Sequence, residues 1–403
     1  MARAMKDSGI EWIGEIPTEW SHGKAKYYII ISNGSDPKTE GETPVYGSGA
    51  GSFRTCGEHK TGPCVLLGRK GATLHIPHYI DHDYWNVDTA FDVKTKSNYD
   101  LRFYFYLACC FDYKQYISQT TLPGMTQTSY ENMYIPIPGY QEQKLIASWL
   151  DEECSRVDSV IDQTWASIEE YKKLKQAVIT QAVTKGIRPD RQMKDSGVDW
   201  LGEVPENWNV LRIANLYNER NEGGSDDLPI LTVSINTGIS DHEIPDEEKA
   251  RVVVRSEDKS KYKRVYPGDL AYNMMRAWQG AFGAVRTDGM ISPAYVVAKP
   301  KKNIELDSRY IEALLRTPSA IEEMHRYSHG ITDFRLRLYW PEFKNIRVCV
   351  PPIEEQQEIA DFIDIKTSQI DELIAKKEKA IEEINTYKKS LIYEYVTGKK
   401  EVM

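Results

Sequence analysis

Apolar residues recur every three or four positions along two long stretches of the chain, residues 141–183 and 354–397. Neither stretch contains glycine or proline, two prolines precede each, and a glycine follows each. These boundary residues are Pro136, Pro138 and Gly186 for the first stretch, and Pro351, Pro352 and Gly398 for the second. This arrangement predicts two helices, each about 60 Å long or more at 1.5 Å per residue.

The apolar positions of both stretches fit one heptad register. The first stretch has Leu150, Cys154, Val157, Ile161, Thr164, Ile168, Tyr171, Lys175, Val178 and Ala182 at these positions. The second has Ile363, Thr367, Ile370, Ile374, Lys377, Ile381, Ile384, Lys388, Leu391 and Tyr395, each 213 residues later. The shared register predicts that both helices bury the same face. The polar members either set the pairing register or face outward where the seam opens.

A long amphipathic helix must bury its apolar stripe against a partner. The second helix of the same chain is the first candidate, and the intervening domain allows the two helices to run antiparallel. Packing against another protein stays open, since four further aromatic residues widen the stripe. These predicted partner-binding residues are Trp149, Trp165, Phe362 and Tyr387.

The remaining sequence, residues 21–139 and 209–352, consists of short apolar runs broken by Gly, Asn and Pro. Three of these runs predict strands: Val65–Leu67, Arg251–Val254 and Tyr295–Val297. Residues 101–107 and 310–316 are predicted to be helices. The fold class expected for these two heads is therefore α+β.

The chain contains an internal repeat. Residues 5–20 return as residues 193–208 with ten of sixteen positions identical, including two tryptophans, two glycines and a proline. The start of each long helix also repeats, whereas the stretches between these anchors match only loosely. We expect an internal pseudo-twofold repeat of head and helix, with domains 1–139, 140–187, 188–352 and 353–403. Divergent heads on a common scaffold suggest two different binding specificities. The alternative explanation is sequence drift between the two copies without a difference in function.

Composition narrows the class of protein. No apolar run approaches the roughly 18 residues needed to span a bilayer. The N-terminus lacks the apolar core of a signal peptide, so we expect a cytoplasmic protein that does not bind a membrane. The histidines and cysteines near residues 56–82 fit no standard zinc spacing, and no metal site is expected. The net charge is −9, of which the long helices contribute −5, so the heads can still bear local basic faces.

Two kinds of loop are candidates for nucleic-acid contact. The first is Gly68-Arg69-Lys70-Gly71, with its counterpart at residues 275–280; the second spans residues 118–128, with its counterpart at 329–337. Glycine permits close backbone approach, and Arg, Lys, Gln and Thr can meet phosphates or base edges. The candidates are Arg69, Lys70, Gln119, Thr120, Thr126, Gln127, Arg276, Trp278, Gln279, Thr332, Arg335 and Arg337. Each could equally be a solvated loop residue, but recurrence in both copies favours a function.

Catalytic motifs are missing from the sequence. It has no phosphate-binding Gly-x-x-x-x-Gly-Lys-Ser/Thr, no Gly-x-Ser-x-Gly, no His-Glu-x-x-His and no Asn-Pro-Pro-Tyr-like motif of an amino-methyltransferase. The sequence therefore predicts a chain that binds rather than catalyses.

The repeated motifs resemble those of the specificity subunit of type I restriction-modification systems. The resemblance rests on the Met-Lys-Asp-Ser-Gly-x-x-Trp-x-Gly-x-x-Pro opening, the Gly-Arg-Lys-Gly loop, and a Pro-rich approach to each long helix with Glu-Gln ahead of Ile-Ala. It covers essentially the whole chain. Gly139-Tyr140 departs from the usual Pro-Pro-Leu before the first helix, which affects only the expected helix start.

The resemblance implies that each head is a target recognition domain reading one half of a split site in double-stranded DNA. It implies that the helices form an antiparallel coiled coil that sets the spacing. Two modification (methyltransferase) subunits would dock on the chain and methylate adenine, and restriction subunits would add translocation and cleavage. The chain itself would hold no cofactor, because S-adenosylmethionine, ATP and Mg would be on the partner subunits.

Two other functions remain to be distinguished. A non-catalytic coiled-coil scaffold without DNA readout would need the helices but not the basic loops, so neutralising the loops would leave it active. A stand-alone DNA-modifying enzyme would need a cofactor motif, which the sequence lacks.

Overall fold

The computed structural model describes residues 3–49, 51–71, 73–96, 98–113, 116, 124–225, 227–242, 261–330 and 336–402. The chain divides into two compact units. The first unit combines Met1–Ala166 with Lys377–Met403, and the second is Ser167–Lys376. Each unit therefore contains one head and a segment of both long helices.

The first head is built on a four-stranded antiparallel sheet. Its strands are β1 Met5–Asp7, β2 Glu15–Pro17, β3 Ser21–Lys24, β4 Ile29–Asn33, β5 Thr43–Tyr46, β6 Ser52–Cys56, β7 Cys64–Gly68, β8 His78–Ile80, β9 Trp85–Asn86, β10 Ala90–Thr95 and β11 Tyr134–Ile137. The main sheet has the order β4-β10-β7-β8, and β5 pairs with β6 and β9 in a smaller sheet. Strand β7 is buried along its whole length, which explains its continuous apolar sequence.

The described residues of this part of the chain also form three α-helices, besides the 3₁₀ turn Ala25–Tyr27. They are α1 Leu101–Ala108, α2 Gln127–Asn132 and the 46-residue α3 Tyr140–Lys185. Asp100 caps α1 by accepting a hydrogen bond from Phe103 N at 2.9 Å. The core of the head continues onto α3, where Ile146, Leu150 and Cys154 are buried.

The second head repeats this plan. Its strands are β12 Met193–Asp195, β13 Glu203–Pro205, β14 Asn209–Arg212, β15 Tyr217–Glu219, β16 Val233–Ser234, β17 Gly238–Ile239, β18 Lys263–Val265, β19 Leu270–Asn273, β20 Phe282–Ala284, β21 Gly289–Ile291, β22 Tyr295–Pro300 and β23 Arg347–Val350. Its helices are α4 Ile213–Leu216, α5 Ser308–Leu315, α6 Pro318–Arg326, α7 Trp340–Phe343 and the 44-residue α8 Ile353–Val396. The sheet order β15-β22-β19-β20 corresponds strand for strand to that of the first head.

The α+β class predicted for the heads is confirmed, with predicted strands present as β7 and β22 and predicted helices as α1 and α5. The predicted strand Arg251–Val254 lies outside the described residues. Both long helices are also confirmed. None of the helices in the described ranges is long and apolar enough to cross a membrane.

The heptad positions assigned from the sequence form the helix seam in each unit. All twenty are buried or half-buried, and the residues between them are mostly exposed. In the first unit Lys388 donates to Asp158 at 2.6 Å, and in the second Lys175 donates to Asp371 at 2.7 Å. Trp149 also stacks on Tyr395 in the first unit, and Arg188, just after the end of α3, pairs with Glu358 in the second. In both units a higher residue number along α3 and just beyond it thus meets a lower one on α8. The helices are therefore antiparallel within each unit, and two of the three seam lysines, Lys175 and Lys388, pair with carboxylates of the opposite helix.

The second tryptophan of each copy of the sequence repeat anchors its head to the start of the long helix. Trp20 Nε1 donates to Glu142 at 2.9 Å, and Trp208 Nε1 donates to Glu355 at 3.2 Å. Arg191 also pairs with Glu355, which is buried. The repeat is thus explained by a shared structural contact.

Glu355 should make the second unit sensitive to acid. Burial raises the pKa of Glu355, but hydrogen bonds from Arg191 and Trp208 outweigh burial, so the pKa lies below its usual value. A carboxyl with a lowered folded pKa stabilises the fold above its unfolded pKa of about 4.3, and this contribution is lost as pH falls through the folded pKa. We expect Glu355→Gln to cost about 3 kcal/mol at pH 7, because it breaks a buried ion pair, and less at pH 3.5.

Glu358→Gln is the matched control. Glu358 lies one turn further along α8 and pairs with Arg188 at 2.6 Å, but its side chain is 47% exposed. Its loss should cost less than about 1 kcal/mol. Urea unfolding followed by tryptophan fluorescence at both pH values measures the difference; equal losses in the two variants would contradict the assigned role of Glu355.

Candidate nucleic-acid interface

In the first head, residues 124–128, the described end of the second predicted loop, lie beside the Arg69 loop at the end of strand β7. Met125 N donates to Arg69 O at 2.9 Å, and the Tyr130 hydroxyl of α2 donates to Gly68 O at 2.7 Å. A Cβ at Gly68 would lie 2.2 Å from Leu74 Cα, so only glycine allows this close packing. The loop after β7 and the start of α2 therefore form one surface.

The predicted side chains on this surface differ in how they are engaged. Lys70 is exposed, and Arg69 is half-buried with its guanidinium 5.7 Å from the centre of the Phe91 ring. Thr126 caps α2 by accepting from Ser129 N at 3.0 Å, and Gln127 donates to Glu131 at 2.7 Å. Thr126 and Gln127 thus hold the loop together. Of these four predicted side chains, Arg69 and Lys70 are therefore the ones more available to a ligand. Gln119 and Thr120 lie outside the described residues.

A third loop, not identified from the sequence, joins this surface. The turn between β5 and β6 contains Gly47, Ser48 and Gly49, and Thr73 donates its hydroxyl to Ser48 O at 2.7 Å. The next strand, β6, presents Phe53 with 59% of its surface exposed. The alternating glycines from 47 to 51 were the available sequence signal, but the contact joins segments about 25 residues apart in the chain, as their numbering shows.

The second head brings its predicted loops together in the same way. Leu338 N donates to Met274 O at 2.9 Å, and His329 and Arg337 exchange two backbone hydrogen bonds of 2.9 and 3.0 Å. Leu338 follows Met125 by the same 213 residues that separate the two long helices. Gly280, with φ of +93°, ends the 3₁₀ turn Ala277–Gln279 in a conformation that favours glycine.

Among the predicted residues of this head, Arg276, Gln279 and Arg337 are exposed. Trp278 is half-buried: its Nε1 donates to Met275 O at 3.0 Å, and its ring packs 5.5 Å from that of His325. Thr332 and Arg335 lie outside the described residues.

Lys263 and Tyr295 add to the surface of the second head and were not identified from the sequence. Lys263 Nζ donates to Tyr295 O at 2.8 Å, and burial lowers the pKa of Lys263. Burial raises the pKa of the Tyr295 hydroxyl, while the charge of Arg276 acts in the opposite direction. Strand pairing between β18 and β21 places Lys263 here, a contact that no local pattern predicts.

The turn between β16 and β17 also lies beside the surface of the second head. Arg316 donates to Asn236 O at 2.7 Å and to Phe282 O at 2.8 Å, so it joins this turn to the strand that follows the residue 275–280 loop. Asn236 and Thr237 are exposed at the tip of the turn. Each head therefore presents the two predicted loops, on the equivalent strands β7 and β19, together with one further turn.

Four of the exposed apolar residues on the long helices lie on the same side of the seam. They are Val160 and Tyr387 in the first unit, 48% and 57% exposed, and Leu174 and Leu373 in the second, 48% and 41% exposed. Each directly precedes a seam residue of the same heptad position, so all four occupy equivalent places beside the seam. We call these pairs the helix patches.

The four predicted partner-binding aromatics are divided between the seam and the surface. Trp149 stacks on Tyr395 with ring centres 3.9 Å apart, and Phe362 is half-buried. Trp165, 45% exposed, and Tyr387 lie on the surface. The structure thus places Trp149 in internal helix packing and leaves Trp165 and Tyr387 accessible.

A family model described as the type I restriction modification DNA specificity domain matches residues 28–162 and 217–383. The MjaVIII specificity subunit of a type I restriction enzyme from Methanocaldococcus jannaschii is 26% identical over 307 residues, or 70% of this chain and 66% of that protein. The EcoBI specificity subunit from Escherichia coli is 23% identical over 294 residues, or 70% of this chain and 61% of that protein. The matches thus span less than two thirds of the length of these relatives.

Solved structures with a similar fold include a chain from work on complex assembly and conformational transition of the type I R-M system. It has a TM-score of 0.65 at 15% identity and covers 94% of this chain and 98% of that one. The HsdS subunit from Thermoanaerobacter tengcongensis has a TM-score of 0.50 at 16% identity, covering 96% and 98%. These similarities confirm the predicted fold class of two mixed heads and two long helices.

Proposed function

Because the chain belongs to the type I restriction modification DNA specificity domain family, we propose that it is a DNA-reading subunit whose two heads each recognise one half of a bipartite site. The observation that supports this most is the pair of predicted loops brought together in each head, on the equivalent strands β7 and β19 but with different side chains. The proposed target recognition domains are residues 1–139 and 188–352, with spacers 140–187 and 353–403. Double-stranded DNA in the cytoplasm is the proposed target.

Arg69 and Lys70 are proposed to serve the first half-site. Arg276, Trp278, Gln279, Arg335 and Arg337 are proposed for the second. Arginine can pair with the acceptors of guanine, glutamine with adenine, and either cation with phosphate. Because Arg276, Gln279 and Arg337 are exposed, their side chains can reach a duplex without rearrangement of the core.

Arg69→Ala should weaken DNA binding by the assembled complex. Loss of a base-edge contact costs about 1–3 kcal/mol and relaxes specificity at one position, whereas loss of a phosphate contact reduces the salt slope by about one. Binding measured across a salt series distinguishes the two cases. Arg156→Ala, on α3 and paired with Glu153 of the same helix, is the control. Unchanged affinity together with unchanged salt dependence would remove Arg69 from the site.

The helix patches are the proposed docking points for two modification subunits. Exposed apolar side chains beside a seam gain free energy when a partner covers them. The patches are equivalent by the internal repeat, which fits one copy of the same partner on each. S-adenosylmethionine, ATP and Mg would be held by partner subunits, including restriction subunits where the system has them.

We propose that the chain itself transfers no methyl group and cleaves no DNA. Labelled S-adenosylmethionine and genomic DNA should give no product with the purified chain, and methyladenine at a single two-part sequence once modification subunits are added. Product formed by the chain alone, or methylation by the complex without a two-part sequence, would contradict the proposed function. A pure scaffold, the alternative, predicts that neutralising the loops leaves this methylation unchanged.

A further inference from the structure

Besides the tryptophan contact and the shared apolar core, each head is fastened to its long helix at two polar points, and equivalent residues do this in both units. At the first point, Gln143 accepts from Asp100 N at 2.7 Å and donates to Pro138 O at 2.9 Å. In the second unit, Gln356 accepts from Asp307 N at 3.0 Å and donates to Pro351 O at 2.9 Å. Both glutamines are buried, so these amide contacts are shielded from water.

The second point is an arginine of the head held by carboxylates of the long helix. In the first unit, Arg102 Nε donates to Asp151 at 2.6 Å, and the Tyr106 hydroxyl donates to the same carboxylate at 2.6 Å. The guanidinium lies over the Tyr79 ring, 4.3 Å from its centre. Arg102 is therefore constrained on two sides, by charge and by an aromatic surface.

The second unit repeats the arginine contact with more carboxylates. Arg309 donates to Asp361 at 2.9 Å and to Asp364 at 3.2 Å, and its guanidinium also contacts Asp307 at 2.8 Å. Asp364 follows Asp151 by 213 residues, the offset of the long helices. The same geometry thus survives in two heads whose reading loops have diverged.

Two contacts restrain an angle that one contact cannot. The glutamine and the aspartate are eight residues apart on the long helix in each unit, or about 12 Å. On the head, Asp100 and Asp307 also cap the short helices that carry the arginines, so both points act on one rigid element. The tryptophan and glutamine contacts fall on adjacent residues at the start of the long helix. The arginine contact lies about 12 Å further along, where it opposes rotation of the head about that start.

We propose that Arg102 and Arg309 are positioning residues that fix the angle of each head on the spacer helices and so determine which spacer length the protein accepts. This rests on the proposed reading of a bipartite site. Rotation that moves the reading loops by about 3.4 Å along DNA changes the spacing by one base pair. Loosening either arginine contact should therefore broaden the accepted spacing without altering either half-site sequence.

The test uses the chain assembled with its modification subunits and DNA carrying both half-sites at the native spacing and at one base pair less or more. Arg102→Gln and Arg309→Gln should each reduce discrimination between native and altered spacings at least tenfold. Arg156→Gln, an arginine on α3 that pairs with Glu153 of its own helix, should leave discrimination unchanged. Reversing the pair, with Arg102→Asp and Asp151→Arg together, should restore part of it.

A purely structural role for these arginines gives a different result. It predicts equal loss of rate at every spacing, with discrimination intact, and that outcome would overturn the proposal. Should Arg102→Gln fail to fold, Asp151→Asn in the first unit and Arg309→Gln in the second provide the same comparison. A parent complex that methylates no two-part site would instead overturn the proposed function, so the two failures are distinguishable.

Discussion

Insertion of one heptad into each long helix is expected to abolish methylation of the parent site and to create a preference for a spacer about three base pairs longer. Seven residues add about 10.5 Å of helix, and B-DNA rises about 3.4 Å per base pair. The antiparallel pairing shows where the insertions belong: between Ala166 and Ser167, and between Lys379 and Ala380. Copies of residues 160–166 and 380–386 keep the seam register on both sides.

The rate at the new site should fall at least tenfold. Three base pairs turn DNA by roughly 100°, at about 10–10.5 base pairs per turn. A left-handed coiled coil of about 150 Å pitch turns by only about 25° over the same length. The DNA or the heads must absorb the difference, which costs binding energy.

Extension of one helix alone is the control. It would displace Lys175 from Asp371 or Asp158 from Lys388, because only one side of each pair would move. We expect this variant to lose activity at every spacer. Sequencing of methylated sites distinguishes the cases, and a doubly extended complex that keeps the original spacer would exclude the helices as the ruler.

Replacement of residues 21–135 with the same segment of a relative should change one half of the methylated site completely and leave the other half untouched. The reason is that the main apolar cores of the heads are separate, one within each unit. Among the described residues, none of the second head belongs to the core of the first. The expected effect is therefore a full exchange of one half-site sequence.

The donor segment must retain the contacts that hold the head on the helices. Asp100, Arg102 and Tyr106 lie within the exchanged segment, so a donor with these residues should keep the native spacing. A donor that lacks the arginine should exchange the half-site but also accept altered spacings. Mapping of methylated adenines measures both the half-site sequence and the accepted spacing. A change in both half-sites would contradict the model in which each head reads one half-site.

The long helices were predictable because their pattern is local and repetitive. Twenty seam positions follow from one heptad register, and the repeat fixes that register twice. The sequence could not assign partners to Lys175 and Lys388, since pairing with Asp371 and Asp158 depends on the relative shift of two helices separated by a whole head. Likewise, the sequence pattern allows Trp149 to face outward, and only the packing of α8 against α3 shows that it stacks on Tyr395.

The reading surfaces were predictable only in part. Glycine and cations after a buried strand identified the Arg69 loop, because strand ends and glycine are local signals. The turn at Ser48 and the lysine at 263 depend on contacts between distant segments, which neither composition nor periodicity encodes. The hydroxyl of Thr126 makes it a candidate for DNA contact in the sequence, but in the structure that hydroxyl caps α2. A threonine before a short helix is equally typical of a helix cap.

The order in which the units can be completed during synthesis follows from the path of α8. Ile392 and Val396 belong to the core of the first unit, and Lys399 Nζ donates to Ile13 O at 2.9 Å. The second unit is one continuous segment, whereas the first unit is complete only after the end of α8 has been synthesised. At about 5–20 residues per second, the roughly 250 residues that separate the end of the first head from Ile392 take about 12–50 seconds to translate.

During that interval the apolar side chains of α3 that later meet α8 remain uncovered on a nascent chain. Chaperone binding to the first half of α3 on the ribosome would therefore be expected, and release should coincide with emergence of residues 377–403. A stop codon before residue 377 would spare every residue of the first head and still leave its core unfinished. The part of the protein that is translated first is thus the part that matures last.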